Sequence, residues 1–153
     1  MNIWRSIKKI FCLATVGILF ATASPTFGQQ NDSQATEVYL TFQYRGVVSS
    51  YVTTYYKDNQ FYLPVSELFN VLKIQHQVDQ GVLQISGNYL GEREFLFDFQ
   101  NQIARSGDTE IQFDSEDFII KEIDYFVRPS LLEELFDLNF STNFNNLTLD
   151  LVT

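Results

Sequence analysis

Seven carboxylates, Asp108, Glu110, Asp114, Glu116, Asp117, Glu122 and Asp124, crowd into seventeen residues of a chain that carries a single histidine. Hard cations such as calcium need several oxygens converging on one point, so Asp114, Glu116 and Asp117 in the DSED stretch are the candidate metal ligands. The stretch lacks the Asp-x-Asp-x-Asp-Gly order of a calcium loop, and a solvated acidic edge that discourages strand-to-strand aggregation accounts for it equally. His76, in Ile74-Gln75-His76-Gln77, would need partners from elsewhere in the fold to serve as ligand or base, and it reads as a solvent-facing strand residue. No Gly-x-Ser-x-Gly elbow, Ser-x-x-Lys motif or glycine-rich phosphate loop occurs, so no catalytic residue and no cofactor site is assigned. Paired carboxylates of a small hydrolase are the distant alternative, for which so short a chain leaves little room to form a cleft.

Tyrosine supplies the other chemistry. In SSYVTTYY, Tyr51 and Tyr55 share one strand parity and Tyr56 takes the other, which makes these three the candidate interaction surface. A tyrosine ring is apolar and its hydroxyl bonds to polar groups, which suits protein or carbohydrate contacts. Ordinary cross-strand packing in a half-buried sheet is the competing reading.

The start of the chain has the order of a secretory signal peptide. Arg5, Lys8 and Lys9 precede an apolar run from Ile10 to Ala23, and a small-residue stretch then leads to a cut after Gly28. Removing residues 1–28 takes away Trp4, Cys12 and Met1 and leaves 125 residues with no cysteine. Three of the ten basic residues go with them while all nineteen acidic ones stay, so the formal charge moves from −9 to −12. Such a surface disfavours nucleic acid and anionic lipid, and the mature chain has no run apolar enough to span a membrane as a helix. These features predict export to a secreted or periplasmic location. Residues 29–36 read as a flexible lead-in and 37–153 as one domain.

The elements that must position these side chains are mostly strands. Val38, Leu40, Phe42 and Tyr44 alternate with Tyr39, Thr41 and Gln43. Arg45-Gly46 predicts a tight turn before a Val-, Thr- and Tyr-rich strand, and Lys57 to Gln60 turns the chain into Phe61-Tyr62-Leu63. Phe95, Phe97 and Phe99 share a face, and Gly107 centres a later hairpin. Only two short helices are predicted. Leu68, Phe69, Val71 and Leu72 form an apolar stripe after Pro64, and Leu131, Leu132, Leu135 and Phe136 form another after Pro129. Ser130 and Glu133 have capping-box spacing. Each helix spans about two turns and needs a sheet to pack on.

The two helical segments fall into register when residue n is set against n + 64. Ser66 meets Ser130, Leu68 meets Leu132, Leu72 meets Phe136, Leu83 meets Leu147 and Ile85 meets Leu149. The fold class expected is therefore α+β, a β-rich small domain with an internal strand-helix-strand duplication.

YLPVSELFNVLKI, the hairpin EFLFDFQNQIARSGDTEIQF, and YFVRPSLLEELFDLNF with NNLTLDL carry a resemblance over roughly residues 60–151. The pattern resembles the copper-amine-oxidase N-terminal-like domain, a stalk module of bacterial secreted proteins. That resemblance implies binding or spacing; the copper chemistry of the oxidases belongs to another domain that needs several histidines. The ending LNFSTNFNNLTLDLVT is more loosely similar to periplasmic N-terminal regions of usher-like outer-membrane proteins. It implies docking onto an envelope or outer-membrane protein, with Thr153 either the cut end of a longer protein or the end of a remnant.

Overall fold

The computed structural model describes residues 35–44 and 48–152. The expected signal peptide, most of the expected lead-in and the expected Arg45-Gly46 turn lie outside them. Twelve strands and two helices follow in chain order among the described residues. They are β1 (Thr36–Tyr44), β2 (Val48–Lys57), β3 (Gln60–Pro64), α1 (Val65–Val71), β4 (Gln75–Asp79), β5 (Gln84–Tyr89) and β6 (Arg93–Asp98). Then come β7 (Ile103–Ser106), β8 (Thr109–Gln112), β9 (Phe118–Lys121), β10 (Asp124–Val127), α2 (Pro129–Phe136), β11 (Asn139–Asn143) and β12 (Thr148–Val152). Thr36, assigned by sequence to the lead-in, opens β1 instead, because it pairs with Tyr56 on β2.

The strands make two sheets. The larger runs β11-β12-β1-β2-β3-β10-β9, and the smaller is the meander β4-β5-β6-β7-β8. All neighbouring pairs are antiparallel except β1 with β12, which are parallel through Phe42↔Leu149 and Tyr44↔Leu151. The inner faces of both sheets close on one core, to which both helices add their apolar stripes. Leu40, Phe42, Val52 and Leu63 come from the larger sheet, and Ile85, Phe97 and Ala104 from the smaller. Period-two side chains on β1 and β2 reach this core at alternate residues, which is why their sequences alternate. A smaller cluster of Tyr62, Ile119 and Phe126 lies on the opposite face of β3, β10 and β9.

The helices begin where the prolines predict, but the capping box does not form. Arg128 is the N-cap of α2, Pro129 opens the helix, and no side chain bonds to its first turn. Proline fixes φ near −65° and has no N–H to satisfy, so the helix starts two residues earlier than a Ser130 cap would set it, and Ser130 is already helical. Glu133 turns outward instead, and its Oε1 accepts the Phe140 N–H of β11 at 2.7 Å. Glu67 on α1 acts alike, with Oε2 accepting the Thr53 N–H of β2 at 3.1 Å. β3 pairs only with Tyr55, Tyr56 and Lys57 of β2, so α1 supplies the acceptor that a neighbouring strand would otherwise give.

Element boundaries recur at a fixed spacing. β10, α2, β11 and β12 each start 64 residues after β3, α1, β4 and β5 respectively. The left-handed residues Asp58, Lys73 and Leu83 (φ 49°, 60° and 53°) have counterparts at that spacing in Glu122, Asp137 and Leu147 (φ 52°, 54° and 51°). The β4–β5 hairpin pairs Gln75 with Asn88, and β11–β12 pairs Asn139 with Val152 in the same register. Leu63 of β3 faces Val127 of β10, the residue 64 positions later.

Candidate functional site

The outer face of the larger sheet carries the tyrosines. Register places Tyr51 opposite Thr41, Tyr39 opposite Thr53, and Tyr55 opposite both Glu37 and Tyr62. Tyr51 is 77% exposed and Tyr39 62%. Glu37 lies between Tyr39 and Tyr55 and accepts both hydroxyls, Tyr55 at 3.3 Å. The bond to Glu37 and the charge of that carboxylate push the Tyr39 hydroxyl above its usual range. Tyr55 is half-buried, its ring edge-on to Phe126 at 4.8 Å with the Lys121 ammonium 5.4 Å from its centroid.

Beside this row, α1 and the outer face enclose a cleft of about 570 Å³, lined by Glu37, Thr53, Tyr55, Glu67, Lys121 and Asp124 among others. Burial raises the Glu67 carboxyl above the ordinary value, the Thr53 N–H opposes this, and Asp124 adds to it. The cleft therefore combines tyrosine, carboxylate and one ammonium along the flank of a helix. Such a surface can hold a peptide by hydrogen bonds and ring contacts.

The three tyrosines nominated from sequence separate. Tyr51 is fully presented and Tyr55 partly. Tyr56 faces the core, with its ring 5.1 Å from Phe61 and its hydroxyl donating to Asn59 Oδ1 at 2.7 Å. Tyr39 and Glu37 were missed. Their parity was legible in TEVYLTFQY, but only the β1–β2 register sets them beside Tyr51 and Tyr55.

The acidic loop turns on itself. Asp117 Oδ2 accepts the Asp114 N–H at 2.9 Å and its Oδ1 holds Arg128 Nη1 at 2.8 Å, while Asp114 Oδ1 accepts the Glu116 N–H at 2.7 Å. Tyr62 donates its hydroxyl to the Glu116 carbonyl at 2.7 Å. Among the described residues, no group of three or more His, Cys, Asp or Glu is placed to hold a metal ion. Glu110 pairs with Arg105 at 2.6 Å.

His76 is half-buried rather than solvent-facing. Its parity on β4 sets it on the core side of the smaller sheet, where its ring meets Phe69 edge-on at 5.6 Å and Nδ1 lies 3.1 Å from the Ile74 carbonyl. It packs as an aromatic side chain.

Asp98 is a buried carboxylate, 8% exposed, at the end of β6. Burial would raise its pKa, but hydrogen bonds from Asn101 N–H, Asn101 Nδ2 and Gln84 Nε2 at 2.8–2.9 Å outweigh burial and lower it below 3.8. A lowered folded-state pKa gives stability that is present above the unfolded value and lost as pH falls through the folded one. Asp98→Ala is expected to cost about 2 kcal/mol at neutral pH. In urea unfolding at several pH values, that difference should shrink below about pH 4. A difference that stays constant down to pH 2 or so would exclude an ionised Asp98 as the cause.

Among the described residues, no helix is long and apolar enough to cross a membrane. Comparison with family models, with curated proteins and with solved structures gave no match for this chain.

Proposed function

We propose that this protein is a non-enzymatic binding module of the bacterial envelope, secreted or periplasmic, that docks onto another envelope protein through the outer face of its larger sheet. The observation that carries this reading is the exposure of Tyr39 and Tyr51 on one face, with Glu37 and Tyr55 beside them. Tyrosine presents large area at low conformational cost, and exposed rings grouped on one sheet face favour partner contact over solvation. The basic start and apolar run at Arg5 to Ala23 support export. The strand, short helix and hairpin around Pro64 and Pro129 support the resemblance to the stalk module. We also read the scaffold as an internal duplication of the unit from β3 to β5. The left-handed residues and hairpin registers that recur at 64 residues support it.

A photocrosslinking residue at Tyr51 tests the docking face in intact cells. Position 51 should yield one discrete adduct, and the same residue at Gln112, on β8 of the smaller sheet, should yield none. Equal labelling from both positions, or none from position 51, would remove this face as the docking surface.

A further inference from the structure

We propose that β4 is a dimerisation edge, along which a second copy of this chain adds antiparallel to make one continuous ten-stranded sheet from the two smaller sheets. The smaller sheet ends on β4 and β8, and the larger on β9 and β11. An edge strand leaves alternate N–H and C=O groups facing outward, and proteins normally close such edges with charge, shortness or a cover. Three of the four are so treated. β8 has four residues and carries Glu110 in an ion pair with Arg105. β9 has four residues, and its Phe118 and Ile119 are buried. β11 has its Phe140 N–H closed by Glu133 of α2.

β4 differs. The residues 64 positions before Glu133 and Phe140 are Phe69 and His76, so the helix beside β4 offers a phenyl ring where its counterpart offers a carboxylate. β4 is five residues long without proline, lysine or arginine, and Gln75, Gln77, Val78 and Asp79 on it are exposed.

The sequence of this edge selects the occupant. An antiparallel pairing of two copies about a twofold axis at His76 sets Gln75 against Gln77 and Ile74 against Val78 of the second copy, with the Lys73 turn residue at the end that Asp79 of that copy approaches. Amide meets amide and apolar meets apolar, and the groups at each end are opposite in charge. Moving the axis to Gln77 sets Gln75 against Asp79 and His76 against Val78, and keeps only the amide contact of Gln77 with its own copy. A twofold interface must be self-complementary in this way. A contact of five residues per copy buries little area, so the dimer forms at micromolar to millimolar concentration.

Sedimentation equilibrium of the full-length protein from micromolar to millimolar concentration tests the proposal. The wild type should show reversible dimerisation. Gln75 and Gln77 are exposed side chains, so variants there leave the core intact. Q75K/Q77K sets like charges opposite each other across the axis and should leave a monomer with an unchanged circular dichroism spectrum. Q75K/Q77E sets opposite charges at the same positions and should tighten the dimer by about fivefold. Monomer at every concentration, or a dimer that responds alike to both variants, overturns the assignment. So does pairing of β4 with a strand of another protein in preference to its own copy.

Discussion

Phe136→Ala is expected to lower the unfolding free energy by about 4 kcal/mol, in the upper range for a buried phenylalanine whose surroundings cannot collapse. Phe136 is 1% exposed, and its ring joins the other helix to two strands of the smaller sheet. It meets Phe69 of α1 at 5.6 Å, Tyr89 of β5 at 5.0 Å, and Phe95 and Phe97 of β6 at 5.3 and 6.1 Å. The contacts with Phe69, Tyr89 and Phe95 are edge-on, the geometry in which ring quadrupoles attract. Because the neighbours belong to one helix and two strands that are held by their own backbone bonds, they cannot close over the void together. A domain of this size has about 5–15 kcal/mol in total, so the variant lies near its folding threshold. Urea unfolding followed by tyrosine fluorescence measures the loss, and Phe136→Leu should recover more than half of it. A loss under about 1 kcal/mol for the alanine variant would mean that the two helices do not share a core.

Gly87→Ala is expected to cost about 3 kcal/mol by a different route, steric conflict in place of a cavity. A Cβ on Gly87 would sit 2.1 Å from the Gln75 carbonyl oxygen, 2.9 Å from His76 Cα and 2.8 Å from Phe95 Cζ. Two of those three atoms are backbone of β4, so relief requires β4 to move away from β5, with loss of the pairing from Gln75↔Asn88 to Asp79↔Gln84. The predicted damage is therefore local first. Amide hydrogen exchange should accelerate at Gln75 to Asp79 while β6 and β7 remain protected. Gly81→Ala is the control, since its Cβ would meet only the flexible Asp79 carboxylate at 3.2 Å. It should change stability by less than about 0.5 kcal/mol. Uniform exchange across the smaller sheet in Gly87→Ala would contradict the local conflict.

Much of the fold was legible because short-range physics decides it. Alternation in VYLTFQY and in EFLFDF fixes which side chains a strand buries, and Phe95 and Phe97 are buried accordingly. Pro64 and Pro129 mark where extended backbone gives way to helix, because proline fits the first turn and nothing deeper. The same residue explains the failed capping box, since a spacing rule read Ser130 as the cap while the ring of Pro129 had already set the helix start. Asp98 shows the limit of such rules. FDFQN reads as a strand running out into polar residues, yet the carboxylate folds back onto Asn101 and across to Gln84 and becomes buried.

The candidate site was only half legible. The sequence named Tyr51 and Tyr55 from parity within one strand. It could not join them to Glu37 and Tyr39, which lie on a strand whose register depends on the whole β1–β2 pairing. Nor could it tell that the carboxylates of Asp114 and Asp117 would be turned toward backbone N–H groups and Arg128, since Arg128 arrives from the next hairpin.

By itself, the sequence determined the strand parities, the two helix starts and the 64-residue recurrence, all of which rest on local conformational preference and on the period of apolar residues. Tertiary structure alone decided that β12 would pair in parallel with β1, that β3 would lie against β10, and that Tyr56 and His76 would turn inward. These are pairings between segments far apart in the chain. Their energies come from surfaces that exist only once both partners have formed, so no window of neighbouring residues contains them.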